Sequence, residues 1–475
     1  MIRALRRAKL NTWNLLGVLI LCCSAELAWA KAKAGTFNPA SVVRIEGPVQ
    51  GSGTLVAQNG DIYTLLTAWH VLSSVREGEE LYAVTNTGVS YRIPIKSIIR
   101  VGNVDIALAR FRGPDGLKIA EISAEDVRMG EDAEVIGYPL AASKKLALNK
   151  GHIVANAKVG VEEGYQLLYK IETSPGMSGG PVVDKYGNVV GVHGRGELNE
   201  TTLDGIGPIM KTGVNYGVPI KYLLLHLLGK DATHNNEEPV TYDDYYAKTA
   251  RLWRSKKDRG GEYGIRLASR LINLTTDNAL LAWAYIFRRD MYQAAHQYKD
   301  ALKDNTSAYS LAEDSNLKYL LIGSECLLYW NLKDITSGIE CWDRASSIRP
   351  TEPGPYSLRG HLWSSIKEWH KALNDFENAL KNGSTNIDDL IAASRMSWFL
   401  GEYSQSITYA NKALFIDPSN IEAIIQRAVV FESKKNYPEV IKDLTRATQL
   451  LKPDDPRRYD VKFSLIRAQK NVANP

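Results

Sequence analysis

The sequence predicts a multidomain chain of two unlike parts: an all-β region of barrel or sandwich type, followed by an all-α helical array. Two observations carry this. Between Thr36 and Lys230, short β-rich runs such as Thr54–Ala57, Tyr63–Ala68, Ala133–Tyr138, Leu167–Ile171 and Val189–His193 alternate with Gly, Asn and Asp turns, the pattern of many short strands rather than of βαβ units. Beyond residue 241 the composition changes to Ala, Leu, Tyr and Trp at helical spacing, and the sequence repeats itself with a period of 34. The polar stretch 231–244, with His234-Asn235-Asn236-Glu237-Glu238-Pro239, reads as a linker between the two.

A length of 475 residues is too great for one core, and 44% hydrophobic with 23% charged residues is an ordinary globular composition. The first thirty residues stand apart. Arg3, Arg6, Arg7 and Lys9 precede the apolar run Leu15–Cys23, and Ala28-Trp29-Ala30 follows as a small-x-small cleavage site. Residues 1–30 therefore read as a secretory signal peptide and the chain as secreted or periplasmic. An uncleaved membrane anchor is the competing reading, against which stand the shortness of the run and the charge of Glu26. Cleavage removes four basic residues and one acidic one, taking the net charge from +5 to +2. With no long basic run left, neither a nucleic acid nor a membrane partner is implied for the mature chain. Cys326 and Cys341 remain; a disulfide and two buried thiols are both open.

In the β-rich region the stretch Thr173-Ser174-Pro175-Gly176-Met177-Ser178-Gly179-Gly180-Pro181 offers a serine in a glycine-rich turn. Such glycines permit conformations closed to other residues, and let backbone N–H groups at Gly176 and Ser178 face one point. Upstream, Thr67-Ala68-Trp69-His70-Val71 places a histidine at the end of a strand, and Asn103-Val104-Asp105-Ile106-Ala107-Leu108 an aspartate at the head of another. A serine needs a base to become a nucleophile at neutral pH, and that base needs an orienting carboxylate. Singly, each residue reads as an ordinary core or turn residue; the order His70, Asp105, Ser178 argues for chemistry.

Together with Gly51-Ser52-Gly53-Thr54 and Asn215-Tyr216-Gly217-Val218-Pro219, these motifs make residues 36–230 resemble the secreted trypsin-like serine endopeptidases of bacteria. The resemblance implies a double β-barrel with the active site between the barrels, Ser178 as nucleophile, His70 as general base and acid, Asp105 as its orienter, and the N–H groups of Gly176 and Ser178 as oxyanion donors. Trp69 departs from the family's small residue at that position, and no internal Ile-Val-Gly-Gly activation site is seen. Thr173 and His193 resemble the positions with which bacterial glutamyl endopeptidases hold an acidic P1 side chain. Glu172 argues for a basic one, and His193 also reads as an ordinary strand residue.

The repeat blocks are 275–308, 319–352, 353–386, 387–420 and 421–454, with 245–274 as a degenerate helical pair and 455–475 as a capping helix and tail. The eighth position is small in most blocks (Ala282, Cys326, Gly360, Ser394, Ala428), and the twenty-seventh is always alanine (Ala301, Ala345, Ala379, Ala413, Ala447). Small residues at fixed offsets let paired helices approach closely, which is the tetratricopeptide pattern and predicts a solenoid. Trp283, Trp330, His361, Arg395 and Trp398 fall at offsets expected on the inner face, where a protein or peptide partner would lie; each alone reads equally as packing. No His-Glu-x-x-His, Cys-x-x-Cys or phosphate-binding glycine loop is present, so neither metal nor cofactor is predicted. The function implied is an exported serine endopeptidase whose repeats recruit a partner or substrate. A non-catalytic or chaperone-like binding factor in which the repeats dominate remains the alternative.

Overall fold

The computed structural model describes residues 36–141, 145–196, 213–234, 237–254 and 261–473; the proposed signal peptide lies outside them. The described residues up to Ala295 form one compact unit and those from His296 onward another.

The first unit begins with seven strands, β1 (Val42–Glu46), β2 (Gly51–Asn59), β3 (Ile62–Thr67), β4 (Tyr82–Val84), β5 (Ser90–Arg92), β6 (Ile99–Arg100) and β7 (Ala107–Arg112). They form one sheet in the order β5-β4-β1-β2-β3-β7-β6. The β2–β3 hairpin is sharp because Asn59 pairs with Ile62 and Gly60 takes φ +58, a left-handed conformation that glycine adopts without penalty. Its core is made of Val43, Ile45, Leu55, Leu65, Leu66 and Phe111, all at most 2% exposed. The four-residue helix α1 (Trp69–Leu72) follows β3 directly.

Six further strands close a barrel in the order β10-β13-β12-β11-β8-β9. They are β8 (Asp132–Gly137), β9 (Ala147–Asn156), β10 (Leu167–Lys170), β11 (Pro181–Asp184), β12 (Val189–Arg195) and β13 (Asn215–Pro219). Val135, Ile153, Leu167, Tyr169, Met177 and Val182 fill it. A short helix, α2 (Lys221–Leu227), ends this part.

The same unit continues through α3 (Tyr242–Arg254), α4 (Glu262–Leu274) and α5 (Asn278–Ala294). Tyr246, Ala250, Leu271 and Phe287 belong to one hydrophobic cluster with Val161, Leu168 and Val218 of the β region. Two carboxylates fasten the start of α3 to the chain leaving β9. Asp243 accepts the Asn156 N–H at 2.9 Å, and Asp244, 1% exposed, accepts those of Lys158 at 2.7 Å and Val159 at 3.2 Å. The compact unit thus runs past the linker read at 231–244.

The second unit is all helix: α6 (Tyr298–Leu311), α7 (Ser315–Asn331), α8 (Ile335–Ile348), α9 (Pro353–Ser365), α10 (Trp369–Lys381), α11 (Ile387–Phe399), α12 (Tyr403–Ile416), α13 (Ile421–Ser433), α14 (Tyr437–Leu450) and α15 (Arg457–Ala473). The starts of α9, α11 and α13 lie 34 residues apart, as do those of α10, α12 and α14. Ala345, Ala379, Ala413 and Ala447 are at most 1% exposed, as are Cys326, Ser394 and Ala428. A Cβ on Gly360 would stand 3.1 Å from the Phe376 ring, so the close approach of α9 to α10 needs this small residue. Lys333, Lys367, Gly401 and Lys435 all take positive φ at the same repeat offset, the left-handed residue that closes a helix. Arg359 grips Asp375 through two hydrogen bonds of 2.8 and 2.7 Å, and Arg427 grips Asp443 through two of 2.8 and 2.6 Å. These pairs fasten the helices of two hairpins with the bidentate geometry that makes arginine–carboxylate contacts specific.

Cys326 on α7 and Cys341 on α8 are joined in a disulfide. Closing a loop with a sequence separation of 15 restricts the unfolded chain by about 3 kcal/mol. Replacing both cysteines with alanine is expected to lower the stability of the helical unit by roughly that amount. Urea unfolding of the oxidised protein beside the double variant measures it.

Candidate active site

The segment that carries His70 is positioned by β3. Thr67, its last residue, donates its hydroxyl to the Ser52 carbonyl at 2.7 Å, and α1 then turns the chain so that His70 meets Asp105. Asp105 lies just before β7, 2% exposed, with its own N–H donated to the Glu163 carbonyl at 2.8 Å. Its carboxylate takes two bonds from His70, the backbone N–H at 2.7 Å and Nδ1 at 2.7 Å. A third comes from the Tyr165 hydroxyl at 2.5 Å. Burial pushes the Asp105 carboxyl up, but the His70 ring, the Tyr165 hydroxyl and the His70 amide together outweigh it and hold the group below its ordinary value. A carboxylate bound to Nδ1 fixes the imidazole with its proton there and leaves the lone pair on Nε2.

Ser178 sits in the loop ahead of β11. Ser52 of β2 holds this loop at two points: its N–H donates to the Ser178 carbonyl at 2.8 Å and its hydroxyl donates to the Gly176 carbonyl at 2.8 Å, while the same hydroxyl accepts the N–H of Tyr138, just after β8, at 2.8 Å. Gly179 has φ +87, and a Cβ there would stand 2.0 Å from the Thr67 hydroxyl and 3.0 Å from the Ala68 nitrogen. Only glycine lets the serine loop lie against the segment leading to His70. The Ser178 hydroxyl donates to the Gly194 carbonyl at 3.0 Å.

The two amides read from sequence as oxyanion donors are oriented by their neighbours. The Pro175 carbonyl accepts from Leu140 N–H at 2.9 Å, and the Met177 carbonyl from Gly180 N–H at 3.0 Å. In a trans peptide the N–H points opposite to the carbonyl, so the Gly176 and Ser178 N–H groups are turned away from these bonds. Ser52 and Gly194 stand in short sequence motifs that do not announce these contacts. Tyr165 carries no local signal, because its hydroxyl meets a carboxylate 60 residues away.

Of the residues read as a substrate pocket, Thr173 is half-buried, and its hydroxyl lies 3.2 Å from where a Cβ on Gly196 would stand; the Asn215 side-chain oxygen lies 3.5 Å from the same point. The Glu172 side chain is exposed. His193 is 2% exposed, and its Nδ1 lies 2.6 Å from the hydroxyl of buried Tyr169. Burial, with a smaller contribution from the charge of His70, lowers its pKa to about 3. His193 is therefore a neutral imidazole at physiological pH.

The five residues read as a partner groove divide between the two units. Trp283, on α5, packs against the core of the first unit and lies under the Lys170 ammonium, 6.0 Å from its ring. The other four belong to the second unit. Trp330 on α7 is 37% exposed. His361 on α9 meets the Phe376 ring edge-on at 5.0 Å, Arg395 on α11 pairs with Glu422 at 2.6 Å, and the Trp398 indole donates to the Ser433 hydroxyl at 2.8 Å. Among the described residues no cluster of His, Cys, Asp and Glu is arranged to hold a metal ion, and no helix is long and apolar enough to cross a membrane.

Residues 51–192 match the family of the trypsin-like peptidase domain. With the fold just described, the match shows a β-rich trypsin-like peptidase domain in the N-terminal part of the chain, followed by an all-helical region. Among curated proteins the chain is similar to the uncharacterized protein y4bJ of Sinorhizobium fredii (strain NBRC 101917 / NGR234). The two are 30% identical over 161 residues, covering 33% of this chain and 24% of that protein. It is also similar to anaphase-promoting complex subunit 3 of Schizosaccharomyces pombe, 24% identical over 138 residues, covering 29% of this chain and 19% of that one. Both matches span a quarter or less of those relatives' lengths. Among solved structures, the inactive form of the Rv3671c protease aligns with 40% of this chain and 90% of its own at 20% identity, with a TM-score of 0.30.

The buried imidazole makes stability depend on pH. An unfolded chain binds a proton at His193 below the ordinary value of 6.5, whereas the folded one resists it down to about 3. This contribution is therefore complete above 6.5 and falls with pH between 6.5 and about 3, at up to about 1.4 kcal/mol per pH unit. His193→Gln keeps a hydrogen-bonding partner for Tyr169 and removes the titration. Its melting temperature is expected to fall less steeply than the wild type's between pH 7 and pH 4.5, measured by scanning calorimetry.

Proposed function

We propose that the chain is an exported serine endopeptidase in which Ser178, His70 and Asp105 act as nucleophile, base and orienter. The observation that carries this reading is the double grip of Asp105 on His70, through the ring at 2.7 Å and the backbone amide at 2.7 Å. That grip engages Nδ1 and leaves Nε2 to take the proton from Ser178. On substrate binding the Ser178 hydroxyl turns from the Gly194 carbonyl to His70 Nε2. The oxygen attacks the peptide carbonyl as its proton passes to the imidazole, and the imidazolium returns a proton to the departing amine. The N–H groups of Gly176 and Ser178 bind the oxyanion. Water then hydrolyses the acyl-enzyme with His70 again as base.

The substrate is a protein or peptide. An acidic P1 side chain is favoured over a basic one: Glu172 is exposed, Thr173 and Asn215 offer polar side chains beside Gly196, and His193 presents a neutral imidazole rather than a carboxylate. The helical unit recruits a protein partner or the substrate itself, a reading supported by its repeat architecture and by the local similarity to a complex subunit.

A fluorophosphonate probe is expected to label Ser178, and Ser178→Ala to lose peptide hydrolysis by several orders of magnitude with an unchanged circular dichroism spectrum. An unlabelled wild type would refute the assignment. In a peptide library the wild type is expected to cleave after Glu faster than after Leu or Lys; preference for Lys would overturn the pocket reading alone.

A further inference from the structure

Tyr165 links Asp105, through its hydroxyl, to Gly194, the residue whose carbonyl accepts the Ser178 hydroxyl. Its hydroxyl donates to Asp105 Oδ2 at 2.5 Å, the same oxygen that binds His70 Nδ1 at 2.7 Å. Its ring lies against Gly194, whose carbonyl holds the Ser178 hydroxyl at 3.0 Å; a Cβ at that glycine would stand 2.2 Å from the Tyr165 ring. Position 194 must therefore lack a side chain for the phenol to reach Asp105. The ring is 2% exposed and is covered by the Arg195 guanidinium, 5.0 Å from its centroid. Arg195 in turn pairs with Glu163 at 2.6 Å, and the Glu163 carbonyl accepts the Asp105 N–H at 2.8 Å. The turn that precedes Tyr165 thus fixes the backbone of Asp105, while the phenol fixes its carboxylate.

We propose that Tyr165 is a positioning residue for catalysis, holding the Asp105 carboxylate in the plane that His70 requires and backing the carbonyl that parks Ser178. The inference rests on the endopeptidase reading above. Burial, followed by the charge of Asp105, raises the phenol's pKa, so the group remains a donor wherever the enzyme works. The charged and titratable groups around His70 are Asp105 and His193, with Tyr165, Glu163 and Arg195 behind Asp105. The phenol bond draws negative charge away from the side of Asp105 that faces His70. Without it, the imidazolium is better stabilised and the carboxylate is freer to rotate.

The test uses the full chain with Tyr165→Phe, which keeps the ring against Gly194 and Arg195. The expected result is a fall in kcat of roughly ten-fold with KM unchanged, beside a melting temperature lowered by a few degrees for the lost buried bond. The acid limb of kcat/KM is expected to move up by about half a pH unit. A kcat within about two-fold of wild type and an unmoved acid limb would overturn the role of Tyr165. Fluorophosphonate labelling of the wild type, run alongside, separates the two readings: labelled wild type with fully active Tyr165→Phe defeats only this inference, whereas unlabelled wild type defeats the peptidase reading beneath it.

Discussion

A carboxylate taken out of water has to be matched by donors, and at Asp105 three donors converge on a group that is 2% exposed. Losing any one of them leaves charge unsatisfied in a poorly screening surrounding, where hydrogen bonds to ions are worth the most. The need explains otherwise unrelated features. The turn at Glu163 adopts φ 56 and offers its carbonyl to Asp105 N–H. Gly194 lacks the side chain that would block Tyr165. The helical turn at Trp69 presents both ring and amide of His70 to the same carboxylate.

The serine loop obeys a steric rule instead. Gly176, Gly179 and Gly180 each approach backbone or side-chain atoms closer than a methyl group could, at 2.5, 2.0 and 2.0 Å from an added Cβ. Ser52, contributed by the first sheet, receives the loop with its amide and hydroxyl. Electrostatic matching on one side and close contact on the other bring the site together.

Much of this was legible in the sequence because the residues concerned sit in short motifs with local causes. Turn glycines around Ser178, a histidine at a strand end and an aspartate heading an apolar strand announce themselves. The repeat was equally legible, since a packing constraint applied every 34 residues leaves alanine or another small residue at the same offsets. What escaped were contacts made by ordinary residues across long separations. Glu162-Glu163-Gly164-Tyr165 looks like any polar turn, and Asp243-Asp244 like the acidic start of a helix. His193 reads either as a pocket residue or as an ordinary strand residue, and its bond to Tyr169, 24 residues away, has no local signal. Trp283 shares its repeat offset with residues of the helical unit but packs into the core of the first one. Pattern reports the offset; only packing decides which surface the side chain covers.

The acidic pair at the head of α3 sets a limit on how the molecule can be dissected. Asp243 and Asp244 supply the acceptors for three backbone amides, that of Asn156 at the end of β9 and those of Lys158 and Val159 just beyond it, and Tyr246, Ala250 and Phe287 continue the apolar cluster begun by the strands. A shortened polypeptide ending near Gly229, where the last strand and its helix finish, would strand those amides and wet that cluster. A fragment that keeps this cluster covered therefore reaches Ala295 and includes three helices that resemble, in sequence, the beginning of something else.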